Sequence, residues 1–126
     1  MQDHPAAHEL LTELAKWLAT ELRGKVPREE RFGVLVAANV AAIVAREIAP
    51  DAPSPQAERE RLAKLGTVPD FADAREAQRA VARAIRSGEL DDRWDEAIAV
   101  VRESVREKLA VAHPGYDDWS EPLPLA

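Results

Sequence analysis

The sequence predicts an all-α protein: a single-domain bundle of about five helices with a central apolar helix and an irregular C-terminal tail. Apolar side chains recur every three or four residues along most of the chain, which is the spacing of one face of a helix. Prolines and glycines fall between these segments, where helices end. No segment alternates apolar and polar residues over the length of a strand, so we predict no sheet.

The ends of the predicted helices follow from capping and helix-breaking residues. The five helices are expected, in chain order, over residues 3–24, 28–49, 54–66, 70–88 and 91–113. Asp3 and Asp70 are the predicted caps of the first and fourth helices, because a carboxylate accepts hydrogen bonds from the free N–H groups of a first turn. Gly24 and Gly88 are predicted C-terminal stops, since glycine readily adopts the left-handed conformation found there.

The second predicted helix contains the stretch "VLVAANVAAIVARE" and is apolar on two sides. At 100° per residue, the bulkier side carries Phe32, Leu35, Val36, Asn39, Ile43 and Arg46. The other side is rich in alanine and carries Val34, Ala37, Ala41, Val44, Ala45 and Ile48. A helix that is apolar all round is expected to be surrounded, either at the centre of a bundle or between two subunits. We therefore predict a homodimer with Ala37, Ala41 and Val44 at its interface.

The polar residues of this helix have three interpretations. Asn39, Arg46 and Glu47 form a small pocket that binds a carboxylate, phosphate or amide-bearing ligand, with Glu47 orienting Arg46. Alternatively, Asn39 bonds a neighbouring helix or loop while Arg46 and Glu47 make exposed ion pairs. In the third, Asn39 sets the register across a dimer, as single buried asparagines do in coiled coils. The two structural interpretations are favoured, because buried polar residues commonly satisfy neighbouring groups.

The C-terminal tail differs from the helices before it. Residues 114–126 contain three prolines and have no helical period, yet they keep several large side chains, including Trp119. We predict a helical domain over residues 1–113 and a Pro-rich tail that packs on it, or on a partner, with Trp119 as a contact.

The composition argues against several classes of function. The net charge of −6 opposes binding to nucleic acid, which relies on clustered cations. The chain has no cysteine and no glycine-rich phosphate loop, and its serines lack the sequence context of a nucleophile. His4 and His8 have a metal-ligand spacing without a third ligand. We expect no catalytic residue, cofactor, metal ion or membrane contact, and a cytoplasmic location.

Four stretches in order along the chain carry a resemblance to a known family: "MQDHPAAHELL", "VAANVAAIVARE", "IRSGELD" and "KLAVAHPGY". The chain resembles a family of small uncharacterised bacterial helical proteins, a domain of unknown function. The sequence departs from the family pattern at Ala6, where a Ser or Thr cap often stands, and at His113, where Asn is usual.

The resemblance implies an association with acyl metabolism. Genes for such proteins tend to lie beside genes for acyl-CoA dehydrogenase-like and aminoglycoside-phosphotransferase-like, kinase-fold proteins. It therefore implies a non-catalytic accessory or interaction protein, homodimeric and linked to acyl-CoA or hydroxy-acid catabolism. The alternative is a small-molecule-binding protein or weak enzyme that uses Asn39, Arg46 and Glu47.

Overall fold

A computed structural model of the chain describes residues 3–116, which form helices and the turns between them, without a strand. This confirms the all-α fold class. The α-helices are α1 (Ala7–Trp17), α2 (Arg23–Lys25), α3 (Arg31–Glu47), α4 (Pro55–Ala63), α5 (Ala74–Ser87) and α6 (Trp94–Ala112). A π-helical turn, Leu18–Leu22, joins α1 to α2, and 3₁₀ turns precede α3 and α6.

The described residues divide into two compact units. The first unit comprises residues 3–52 together with 111–113, and the second comprises residues 53–110 together with 114–116. The predicted boundary between residues 113 and 114 stays a prediction, because most of the tail lies outside the described residues.

In the first unit, α1 and α3 pack against each other through small side chains. The fully buried residues of the two helices are alanines: Ala15 on α1 and Ala38, Ala41 and Ala45 on α3. Alanine lets two helix backbones approach closely, but it buries little apolar area per residue. The core of this unit is therefore thin.

In the second unit, α4, α5 and α6 surround a core that contains three leucines and a valine as well as alanines. Its buried members are Leu62, Leu65, Ala77, Val81, Ala84, Leu90 and Ala97. Two arginines fasten the connection between α4 and α5: Arg59 donates to main-chain oxygens of Asp70 and Ala72, and Arg93 donates to those of Lys64 and Leu65. These bonds satisfy carbonyls that have no helical partner.

The structure corrects two predicted caps. The N-cap of α1 is Ala6 instead of Asp3, and its side chain cannot accept a hydrogen bond, so only the Glu9 half of a capping box is present, with Ala6 N–H donating to Glu9 Oε2 at 2.7 Å. The N-cap of α5 is Asp73 instead of Asp70. Asp73 is the cap because Glu76, three residues further on, completes a capping box with it. Asp70 cannot form such a box.

Two predicted stops have different outcomes. Gly88 follows α5 with φ of 83°, as the prediction of a left-handed C-terminal residue requires. Gly24 lies inside α2 instead of ending the first helix, which continues to Lys25. Pro27, two residues further on, stops it, since proline cannot continue the hydrogen-bond ladder.

Candidate interaction surface

The inner side of α3 is its alanine side. Ala38, Ala41 and Ala45 are buried, and Ala45 is only 4% exposed. This corrects the predicted interface: Ala41 is already covered within its own chain, so it is not available to a second copy. Ala37 is exposed and Val44 is half-buried. The backbone approach that alanines permit is used by α1 and α3 themselves.

The bulkier side of α3 points away from this packing. Phe32, Leu35, Val36 and Val40 are all exposed, Phe32 to 76% and Val40 to 53%. Asn39 is also exposed and lies among them on the helical wheel. We call these five residues the α3 outer face. A helix that is apolar all round was expected to be surrounded. Among the described residues, burial is concentrated on its alanine side, while Ile43 on the bulkier side is half-buried.

The first helix shows the same division. Its leucine stripe separates into an inner row, where Leu11 and Leu18 flank the buried Ala15, and a second row that stays exposed. The exposed row consists of Leu10, Leu14 and Trp17. Both helices of the pair therefore carry more apolar surface than they bury against each other.

The exposed apolar area is large for an isolated unit. The four apolar side chains of the α3 outer face expose roughly 400 Å² together, within the range of the largest patch on a typical monomer. The exposed row of α1 is a second apolar area, of roughly 300 Å². Exposed apolar patches of this size are often interaction sites.

The α3 outer face also lacks charge. No ionisable side chain occurs from Phe32 to Ala45, although the whole chain carries a net charge of −6. Two acidic chains repel each other, and an uncharged surface minimises that repulsion where they meet.

The other polar residues predicted for a pocket lie in different surroundings. Arg46 is half-buried, and its Nε donates to the main-chain oxygen of Val111 at 2.7 Å, near the C-terminal end of α6. A cation is favoured at such an end, where helical carbonyls are unpaired. The expected exposed ion pair is therefore wrong for Arg46, which has a main-chain partner. Glu47 is exposed.

Asn39 is the one polar group within the α3 outer face. Its amide both donates and accepts hydrogen bonds, so an asparagine side chain is self-complementary. Exposure of Asn39 in the single chain leaves the amide available for such a bond. The remaining predicted interface residue, Trp119, lies outside the described residues.

Residues 24–116 match the model of a known family, the domain of unknown function DUF6285. The chain belongs to this family. The match includes α3 to α6 but not α1, so the N-terminal motif "MQDHPAAHELL" lies outside it.

No curated protein and no solved structure matches the chain. Among the described residues, no helix combines the length and apolar character needed to cross a membrane.

Proposed function

We propose that this DUF6285 protein is a non-catalytic interaction protein that forms a homodimer through the α3 outer face. The observation that carries the proposal is the exposure of four large apolar side chains, together with one amide, on a helix whose opposite side is already covered. A second copy is the occupant that fits, because the surface is uncharged and its amide is self-complementary.

The structure supports a specific geometry for this dimer. If the outer faces of two α3 helices meet, Asn39 of each copy lies against the other within an apolar contact. A single polar residue in such a position selects one register and one oligomeric state. This is the third of the interpretations offered for Asn39, with the contact formed by the bulkier side of the helix that carries it.

Light scattering coupled to size exclusion tests the dimer. We expect the full chain to elute at twice its mass of 13.9 kDa. Phe32→Lys places a charge in the contact and is expected to raise the dimer dissociation constant by about 30-fold or more, as loss of a hot spot does. The matched control is Phe71→Lys, the same change at a phenylalanine that is 87% exposed in the second unit.

The oligomeric states of the two lysine variants decide whether the proposal holds. A dimer that survives Phe71→Lys and dissociates in Phe32→Lys supports the proposal. A monomer at all concentrations, or equal loss in both variants, removes it. Asn39→Leu tests the register: we expect it to retain association but to give a mixture of oligomers, since the buried amide no longer penalises alternative pairings.

We further propose that the dimer acts as an accessory to an enzyme of acyl-CoA or hydroxy-acid catabolism, an acyl-CoA dehydrogenase-like or kinase-like protein. The support is the sequence resemblance alone. Co-purification of tagged chain with each candidate enzyme tests it, with Phe32→Lys distinguishing a partner that needs the dimer from one that does not.

The alternative function, ligand binding by Asn39, Arg46 and Glu47, stays a prediction. The bond from Arg46 to Val111 changes its test, because Arg46→Ala now also removes a hydrogen bond within the first unit. Glu47→Gln leaves that bond intact and is the better variant. Loss of ligand-induced thermal stabilisation in Glu47→Gln, with an unchanged melting temperature of the free protein, would support the alternative.

A further inference from the structure

A cleft of about 230 Å³ opens between α4, α5 and α6 within the second unit. Its walls are apolar, with contributions from Leu62, Val81, Ile85, Val101 and Val105. This volume accommodates about seven groups of the size of a methylene or a water molecule. The cleft belongs to neither the α3 outer face nor the predicted pocket at Asn39.

Polar side chains from three helices line the same cleft. Glu58 comes from α4, Gln78 from α5, and Ser104 and Lys108 from α6. Glu58 is 9% exposed and Ser104 is 6% exposed, so both are more than nine-tenths buried. Charged and hydroxyl groups are rarely buried to this extent without partners.

Two of these polar atoms lack a hydrogen-bond partner within the described part of the chain: Glu58 Oε1 and Ser104 Oγ. Lys108 Nζ lies 3.3 Å from Glu58 Oε1, at ion-pair distance but without hydrogen-bond alignment. A helical serine usually bonds a carbonyl of the preceding turn, as Ser87 Oγ does with Ala84 O at 3.1 Å. Ser104 makes no such bond, so its buried hydroxyl keeps an unused donor and acceptor at the lining of the cleft.

The donors and acceptors define the head group of a ligand. Glu58 accepts, Lys108 donates, and the Ser104 hydroxyl and the Gln78 amide each do both. The charges of Glu58 and Lys108 balance, so the polar end of the cleft favours a neutral group over an ion. A carboxamide fits, because its N–H₂ donates to Glu58 while its carbonyl accepts from Ser104 or Lys108.

We propose that this cleft binds a small amphipathic amide, with a short alkyl chain against the apolar walls and its carboxamide between Glu58 and Ser104. A carboxylate of the same length is a poorer ligand, because it lacks a donor for Glu58 and carries the same charge. The cleft lies within the second unit, and the proposal does not depend on the homodimer.

Hexanamide is the probe, and hexanoate is the matched anion. Titration of the isotope-labelled full chain, followed by NMR, reports both affinity and position. We expect saturable shifts at residues lining the cleft with hexanamide, and binding at least tenfold weaker with hexanoate. Ser104→Ala is expected to weaken hexanamide binding by about 5- to 10-fold, the effect of one hydrogen bond.

Ser87→Ala is the matched control, since it removes a hydroxyl whose bond lies outside the cleft. Its hexanamide affinity is expected to equal that of the unchanged chain. Ala82→Phe, at an exposed residue on the cleft lining, tests the cleft independently by filling its mouth, and is expected to abolish binding. Absence of saturable binding, equal affinity for hexanoate, or unchanged hexanamide affinity in both Ser104→Ala and Ala82→Phe would overturn the proposal.

Discussion

The two units of this protein bury apolar surface in different ways. The second unit encloses leucines and valines between three helices, and Leu65 and Leu90 are each 1% exposed. The first unit buries alanines between α1 and α3 and leaves several of its larger apolar residues exposed, Phe32 and Leu10 among them. Composition does not explain the difference, since the helices of the first unit are more apolar than those of the second. What differs is which side chains face inward.

Because of this difference, we expect the second unit to contribute more to folding stability and the first unit to contribute more to association with another chain. Buried area stabilises a fold in proportion to the apolar surface removed from water, and a leucine contributes more than an alanine. The second unit therefore has its stabilising contacts inside. The first unit gains further burial when its outer surface meets another chain, as the proposed homodimer provides. Three perturbations probe this comparison, in decreasing order of expected effect.

Truncating one leucine in each unit gives the largest contrast. Leu65→Ala creates a cavity in a closed core and is expected to lower the free energy of unfolding by about 2–5 kcal/mol. Leu10→Ala, the same change at a side chain that is 56% exposed, is expected to alter it by no more than about 0.5 kcal/mol in the monomer. Urea unfolding at low protein concentration measures both. Equal losses would mean that Leu10 is covered in solution and that the units do not differ.

Capping gives a smaller contrast. Asp73→Ala removes the side chain that accepts from Glu76 N–H at 2.8 Å and is expected to cost about 1 kcal/mol. Ala6→Asp supplies the missing half of the box at α1 and is expected to stabilise the first unit by up to about 1 kcal/mol. Thermal unfolding of the two variants measures the opposite shifts. Destabilisation by Ala6→Asp would show that the first turn of α1 does not accept a side-chain cap.

The smallest effect is a pH dependence at the start of α1. The hydrogen bond from Ala6 N–H, reinforced by His4, holds the pKa of Glu9 below its ordinary value of 4.5. Because the folded pKa lies below the unfolded one, the stabilisation is present above about pH 4.5 and is lost as pH falls through the folded value. NMR titration of the Ala6 amide is expected to follow Glu9 ionisation. In Glu9→Gln this transition should vanish, and its persistence would assign it to another group.

The fold was largely predictable because helix signals are local. The spacing of apolar residues located all the main helices, and Gly88 was identified from the left-handed conformation that its position requires. Caps were harder, since Asp70 and Asp73 both precede α5 and only the reciprocal bond with Glu76 selects between them. The family and its helical class were likewise indicated by short stretches read in order.

The site was less predictable, because it depends on which side of a two-sided helix faces inward. Both sides of α3 are apolar. The alanine side was suited to close helix contact, but the wheel did not decide whether that contact lies within the chain or between two copies. Arg46 was predicted to act with Asn39 or in an exposed ion pair. Its actual partner, the carbonyl of Val111, is 65 residues away along the chain. Every residue has a main-chain carbonyl, so no local sequence pattern identifies which of them accepts this bond.

By itself, the sequence determined the helices, most of their ends, the uncharged run through α3 and the acidic net charge, because each depends on neighbouring residues or on simple composition. Only the tertiary structure decided that alanines meet inside the first unit while Phe32 and Val40 remain outside. It also brought Glu58 of α4 beside Ser104 and Lys108 of α6 in one cleft. The physical reason is that protein interiors are close-packed. Among helix faces that are equally apolar, the faces whose backbones and side-chain volumes fit together most closely are the ones that become buried.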